Sequence, residues 1–496
     1  MENFIVPNDL YLIPSDEDEN YILYRPSKYL IALLNPEMTS KLSTLLKEDR
    51  KKSFNNSYDI KNLSSLVEIG FLDSSNDVKS SNKSKVTDSC SIVHHIPNTK
   101  LFLPHEVTLD ITRKCNMRCI YCYSCGGDTK ISMSRDCGIS AIDFCISNAK
   151  RKGIFFGLHF HGGGEPSQEF SLLKEFHDYA KNRCSENDVQ FKCSVITNGL
   201  ISSEIVNFYA ESMDEITLSL DGDQISHDLQ RTSINGGATF INVYKTGKRL
   251  LNLKKKFNLR TTVTSKNVKR LDTIVDFFIN EFPNCSINIE PVTLVGRALG
   301  SDNLACDSIF FADQLFSSMK KAIKSGATLF YSGVSGHSQR KMFCAASAPN
   351  FCVCADGSVT SCFSYSNRDI VRDLFVYGRF DELNKKFNYN TDRIKRLQSL
   401  SMEHDDYCDR CFCRTHCIGD CPAIRTFELN EVSEFVEKLD TDFMHNRRCA
   451  TNRRIVTLLL NEIVRGRMGD SILRSGLDIG THECIKSQSD HTINAI

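Results

Sequence analysis

Cys115-Asn-Met-Arg-Cys119-Ile-Tyr-Cys122 follows closely on the strand-like run Glu106-Val-Thr-Leu-Asp-Ile-Thr112. Its three cysteines stand at spacing C-x3-C-x2-C within eight residues. Three thiols cannot all pair with one another as disulfides. As thiolates they suit three corners of a four-iron cluster, since thiolate is the usual iron–sulfur ligand. The fourth iron is then left open to a substrate or cofactor, by the logic that makes any open metal position reactive. Taken alone, the spacing also suits a structural zinc knuckle or reduced core cysteines.

Around this stretch, from 105 to about 300, strand-like and helix-like segments alternate. Strands are expected at 106–112, 156–161, 190–196, 215–220, 259–264 and 286–292. Helices are expected between them, for example over 140–151, 172–183 and 268–282. Six βα units in series predict an α/β fold with a parallel sheet and right-handed crossovers. Ligands of such sheets sit at the carboxyl ends of the strands. The motifs of this chain fall at those ends. After the second strand comes Gly162-Gly-Gly-Glu-Pro166, where adjacent glycines admit close backbone approach and Glu165 offers an acceptor to an ammonium group. After the third comes Thr197-Asn-Gly199, and after the fourth Ser219-Leu-Asp-Gly222 and His227-Asp-Leu-Gln-Arg231. Arg231 suits a carboxylate bidentately. Alternatively it forms an internal ion pair with Asp221. Val295-Gly-Arg-Ala298 follows the sixth strand.

Cysteine density rises again beyond 338. Cys344, twelve residues, Gly357, four residues and Cys362 are followed by Cys408-x2-Cys411-x5-Cys417-x3-Cys421, and then by Cys449. The chain holds 22 cysteines in 496 residues and no basic-then-apolar leader at Met1. That usage favours metal binding in a reducing cytoplasm over a disulfide framework. At 41% hydrophobic and 25% charged residues the chain reads as globular. Its formal net charge of zero gives no support to nucleic acid or an anionic membrane as partner. No apolar run approaches a membrane span.

Residues 1–72 read as a small α+β unit. Tyr21–Tyr24 and Tyr29–Leu34 are β-capable runs split by Pro26, and helices are expected over 36–46 and 63–72. Residues 73–100, rich in Ser, Asn, Lys and Asp, read as a linker whose His94 and His95 carry no assigned role. A bridging region at 301–337 and a C-terminal helix and tail at 451–496 complete the organisation, with the apolar helix over 455–464.

With Tyr121 before its last cysteine, the trio resembles the cluster motif of radical S-adenosylmethionine (SAM) enzymes. The resemblance implies a partial (β/α)6 barrel over 101–300, with a SAM-binding [4Fe-4S] cluster on Cys115, Cys119 and Cys122. It implies SAM contacts from Tyr121, Gly163, Gly164, Glu165, Asn198, Ser219, Asp221, Arg231 and Val295. The later cysteines reproduce the pattern of the SPASM domain, here 338–450, which implies two auxiliary [4Fe-4S] clusters. Cys408, Cys411, Cys417 and Cys449 would hold the outer cluster, and Cys344, Cys362 and Cys421 the inner one. Relatives often carry one more cysteine shortly before the first of the seven. Gly336–Arg340 has none. The inner cluster then has an open iron, or Cys352 or Cys354 substitutes. Cys413 lies outside the pattern; Cys125, Cys137, Cys145, Cys184, Cys193, Cys285 and Cys306 read as small buried residues.

Residues 1–72 resemble the winged-helix RiPP recognition element, which binds the leader of a ribosomally made peptide. Together these resemblances imply a cytoplasmic peptide maturase that makes an oxidative crosslink, thioether or carbon–carbon, in a leader-bearing precursor. A flavodoxin or ferredoxin would supply electrons. Formylglycine formation, as in sulfatase maturation, is the alternative. It is disfavoured because Phe363 stands where those relatives place a basic aspartate after Cys362. A reading from another class is a non-catalytic iron–sulfur regulatory or binding protein.

Overall fold

The computed structural model describes residues 4–16, 19–47, 60–74, 102–335, 343–347, 350–362, 375–398, 408, 411–424 and 447–466. Most of the 73–100 linker, the Gly336–Arg340 segment, Phe363 and the tail beyond 466 lie outside them.

The N-terminal elements are β1 (Phe4–Ile5), β2 (Tyr11–Pro14), β3 (Tyr21–Arg25), β4 (Leu30–Leu34), α1 (Pro36–Lys47), α2 (Ile60–Ile69) and β5 (Asp73–Ser74). Strands β2, β3 and β4 make an antiparallel sheet in that order, and β1 pairs with β5. The two-residue period of β3 works on both faces. Leu23 joins a small core with Leu34, Met38, Leu42, Leu66 and Phe71, whereas Ile22 and Tyr24 join the core of the main body. Arg25 holds the end of α2 by donating to Gly70 O at 2.6 Å and bidentately to Asp73 at 2.8 Å. Gly70 is needed there because the chain leaves the helix at φ +99°.

The N-terminal sheet is docked on the main body. Tyr24 Oη meets His416 Nε2 at 2.7 Å, Tyr11 packs edge-on against Phe412, and Asp16 pairs with Arg454 at 2.7 Å.

Among the described residues the main sheet has eleven strands. Its parallel centre comprises β6 (Glu106–Leu109), β7 (Phe156–Phe160), β8 (Phe191–Thr197), β9 (Glu215–Ser219), β10 (Asn258–Val263) and β11 (Ser286–Pro291), as expected from the sequence. Between them run α3 (Arg135–Lys152), α4 (Phe170–Asn187), α5 (Ser203–Ser212), α6 (Gln224–Asp228), α7 (Phe240–Asn252) and α8 (Leu271–Glu281). Polar caps set several starts: the Ser134 and Ser202 hydroxyls accept from Cys137 N and Ile205 N. Leu218 lies against the position of a Cβ on Gly247 of α7, so that face of β9 looks toward the helices. Ser219 therefore looks the other way, into the barrel.

Two additions were not foreseen. Helix α9 (Ser308–Lys324) leads to β12 (Leu329–Phe330), which extends the parallel run beyond β11. On the opposite edge, β13 (Cys352–Val353) pairs in parallel with β6, and β14 (Ser358–Thr360), β15 (Val376–Asp381) and β16 (Lys386–Tyr389) continue it antiparallel. The strands of the cysteine-rich segment thus belong to the barrel's own sheet. Helices α10 (Thr391–Gln398), α11 (Arg414–Cys417) and α12 (Arg447–Val464) follow. Helix α12 packs on α9 and the N-terminal sheet.

Candidate active site

The chain leaves β6 into a loop that closes on itself. Arg113 N donates to Ile131 O at 2.8 Å, Gly127 N to Arg113 O at 2.7 Å and Met133 N to Ile111 O at 2.8 Å. Inside this noose the thiols of Cys115, Cys119 and Cys122 lie within electrostatic reach of one another. Burial pushes Cys119 up to about 12 and raises Cys115. Such thiols give up their protons only to a metal centre that replaces them. Donors already point at the sulfurs: Gly126 N approaches Cys122 Sγ at 3.3 Å and Asn198 Nδ2 approaches Cys115 Sγ at 3.7 Å. Among the described residues no three Cys, His, Asp or Glu side chains converge on one point as ligands of a single ion do; a cubane holds its thiolates apart at its corners. Cys125, expected to be buried, is a half-buried member of this loop at φ +52°.

Two arginines hold the loop. Arg118 donates to Cys115 O, Met117 O and Gly127 O at 2.8–3.0 Å. Arg297, beyond the last predicted strand, donates to Cys119 O at 3.0 Å, to Gly126 O at 2.9 Å and from its backbone N to Cys122 O at 2.9 Å. Asp128 joins them, 2.7 Å from Arg297 and 3.9 Å from Arg118. Gly296 precedes Arg297 at φ +58°, where a Cβ would sit 2.4 Å from Cys122 O. The sequence drew attention to Val295, which is buried here, and left the arginine two places on without an assigned role.

The glycine loop lies against this noose. Asp110 Oδ1 accepts from Gly163 N at 2.8 Å, and a Cβ on Gly164 would stand 2.4 Å from Lys114 O. Only glycine permits that approach. The Glu165 carboxylate accepts from Asn198 N at 2.6 Å, Thr197 Oγ1 at 2.9 Å and Ser167 N at 3.2 Å. Burial raises its carboxyl against these donors. It therefore braces β8 to the glycine loop.

Asp221 and Arg231 do not pair directly. Tyr121 stands between them: its hydroxyl donates to Asp221 and accepts from Arg231 Nη1 at 2.7 Å. Burial pushes the Tyr121 phenol well above its ordinary range, so it keeps the proton it donates. Asp221 also accepts from Thr262 N at 3.0 Å and Gln230 Nε2 at 3.1 Å. Arg231 is 7% exposed, and its Nε has no partner among the described residues. A buried guanidinium with a spare N–H beside Cys119 fits the carboxylate of a bound amino acid. Ser219, at the end of β9, is half-buried near this network.

The later cysteines gather in two groups. Cys408 lies within electrostatic reach of Cys411, Cys417 and Cys449. Cys421 lies within reach of Cys362 and Cys344, and so does Cys352 of β13. Cys413, outside the sequence pattern, hydrogen-bonds Cys417 and holds its thiol below the ordinary range. Asp420, buried between Cys417 and Cys421, pairs with buried Arg448 at 3.0 Å, which in turn lies 3.4 Å from Glu290 at the end of β11.

Comparison with known proteins agrees with this geometry. Residues 109–278 match the profile of the Radical SAM superfamily, so the chain carries a radical SAM domain, with the SAM and [4Fe-4S] cluster that such domains imply. An uncharacterised protein of Methanocaldococcus jannaschii is 28% identical over 35% of this chain and 58% of its own length, so this chain spans little more than half of that relative. A cysteine-type anaerobic sulfatase-maturating enzyme of Clostridium novyi is 24% identical over 61% of this chain and 84% of its own. Among solved structures, native anSMEcpe with bound AdoMet shares the fold at a TM-score of 0.59 and 19% identity, over 73% of this chain and 98% of that one. The same protein with AdoMet and the Cp18Cys peptide bound gives 0.56, at 17% identity over 73% and 99%.

Proposed function

We propose that this protein is a radical SAM peptide maturase that installs an oxidative crosslink in a ribosomally made precursor. The observation that carries the reading is the meeting, at the carboxyl ends of β6 to β9, of the cysteine noose, the glycine loop and the Tyr121–Asp221–Arg231 network. A reduced four-iron cluster and SAM held there would supply the radical chemistry that removes hydrogen from the peptide. Cys115, Cys119 and Cys122 hold the cluster, and Arg231 Nε takes the SAM carboxylate. Tyr121 and Asp221 fix that arginine, and Asn198 orients Cys115. Ser219, Gly163, Gly164 and Val295 line the cofactor, while Glu165 supports it from behind.

Cys408, Cys411, Cys417 and Cys449 hold an outer auxiliary cluster, and Cys344, Cys362 and Cys421 an inner one, with Cys352 within reach. Clusters held there would supply an acceptor for the electron left on the substrate, or an open iron for a substrate thiolate. Electrons enter from a flavodoxin or ferredoxin in a reducing cytoplasm. Residues 1–72 bind the leader at β4, an edge strand of its sheet, through main-chain hydrogen bonds that suit many sequences.

The test is co-expression with a short peptide encoded beside the gene, followed by mass spectrometry. A product lighter by two hydrogens supports the crosslink. The likeness to the Clostridium novyi enzyme favours a second reading, formylglycine formation. An aldehyde on the substrate that reacts with hydrazine reagents would establish it instead.

A further inference from the structure

Strand β10 carries an arginine that the site described above does not use. Leu218 of β9 faces the helices, and in the parallel register it pairs with Leu259 of β10. Alternation then turns Arg260 to the opposite face, into the barrel. Its register neighbours are Ser219 on β9 and Asn288 on β11. The guanidinium lies within electrostatic reach of Tyr123, in the cysteine noose, and of His161, at the start of the glycine loop. Arg260 is exposed, and among the described residues it makes no hydrogen bond or ion pair through its side chain. Beside it, Asn288 Oδ1 is buried with no partner among the described residues. Burial pushes His161 down to about 3, so that ring is neutral beside Arg260.

The row thus presents an unmet fork of cationic donors and an unmet acceptor side by side. One amino-acid residue supplies both complements, a carboxylate for the guanidinium and an N–H for the amide oxygen. A SAM carboxylate has a buried donor in Arg231 Nε beside Cys119, whereas Arg260 is exposed to solvent and open to a larger ligand.

We propose that Arg260 is the receptor for a carboxylate of the peptide substrate, an acidic side chain or a free C-terminus, with Asn288 taking a peptide N–H. This rests on reading the barrel as a SAM-dependent peptide-modifying centre.

The test is anaerobic calorimetric titration of the cluster-reconstituted, SAM-saturated protein with three small peptides. They are a capped glycyl-aspartyl-glycine amide, its asparaginyl counterpart, and acetyl-triglycine with a free C-terminus. At least one carboxylate peptide should bind about tenfold or more tighter than the neutral one, the usual worth of a charged hydrogen bond. Which of the two does so separates a side-chain from a C-terminal source. Arg260→Gln should abolish the difference and Arg260→Lys should keep part of it, both at wild-type iron content. Equal binding of all three peptides to the wild type would overturn the proposal, as would a preference that survives in Arg260→Gln. SAM binding weakened about tenfold by Arg260→Gln without peptide would assign the arginine to SAM and overturn it too. Failure of the radical SAM reading shows separately, as no 5′-deoxyadenosine from the wild type reduced with dithionite.

Discussion

Replacing Arg297 by Gln probes how the noose is held. The wild-type side chain donates to Cys119 O and Gly126 O and pairs with Asp128. A charged hydrogen bond is worth roughly 1.5–3 kcal/mol net, so the two carbonyl bonds together give about 3–6 kcal/mol. Arg297 is only partly buried and water can reach an abandoned carbonyl, so the lower end, ~3 kcal/mol, is the better figure. The half-exposed Asp128 pair adds at most about 1 kcal/mol. The backbone bond from Arg297 N to Cys122 O survives the change. A loss of ~3 kcal/mol makes the open loop about a hundredfold more populated. Iron and sulfide assayed after anaerobic reconstitution should then fall by close to one cluster's worth, about four irons. The dithionite-reduced EPR signal of the SAM-bound cluster should weaken selectively. Asp128→Asn should change little. Wild-type iron content together with an unaltered SAM-bound EPR signal in Arg297→Gln would refute the reasoning.

Other consequences follow from single contacts. Gly164→Ala pushes a Cβ into Lys114 O and Thr112 O, 2.4 and 2.5 Å away, and should abolish cluster loading. Gly153→Ala, in open space at φ +64°, should cost only about 1 kcal/mol in urea unfolding; equal effects of the two would show that the close approach is unimportant. Tyr24→Phe removes the hydroxyl that meets buried His416 Nε2 and should lower stability by ~1–3 kcal/mol, read from the urea midpoint; no change would mean the docked N-terminal sheet contributes nothing there. Asp110 is lifted by burial to about 6 against Arg113 at 3.3 Å. A carboxyl raised on folding stabilises the native state below its unfolded value near ~4, and that contribution is lost as pH rises through about 6. Asp110→Asn should therefore gain on the wild type in urea midpoint as pH goes from ~5 to ~7, and parallel curves would contradict this. If leader peptides add to the edge of β4, the amides of residues 30–34 should gain hydrogen-exchange protection with the precursor, and unchanged exchange would remove that role.

Much of the site was readable because its motifs follow parallel strands at once: chemistry and periodicity sit together in the text around Cys115, Gly163, Asn198 and Asp221. What stayed hidden depends on contacts between distant residues. Nothing near Arg297 signals that it caps carbonyls of Cys119 and Gly126, more than 170 positions earlier. Glu165 stood out in the sequence as an acceptor for an ammonium group, but its bonds to Asn198, Thr197 and Ser167 tie the glycine loop to a different strand and leave no local signal. An internal Asp221–Arg231 ion pair was the alternative reading of opposite charges, and only the fold inserts Tyr121 between them. Strand β12 has two residues, too few for any period to show, and the strand-like run around Cys352 carries no sign that it pairs with β6. The docking of the N-terminal sheet through Tyr24 and His416 joins residues 392 apart and leaves no local mark.

The central claim is that Cys115, Cys119 and Cys122 hold a cluster that cleaves SAM. The direct measurement is 5′-deoxyadenosine formed by the anaerobically reconstituted protein with SAM and dithionite, alongside the Cys115→Ala/Cys119→Ala/Cys122→Ala variant. The account predicts 5′-deoxyadenosine from the wild type and none from the variant, which should still retain iron on its later cysteines. A wild-type protein that loads iron and binds SAM but forms no 5′-deoxyadenosine would contradict it and favour a non-catalytic iron–sulfur protein.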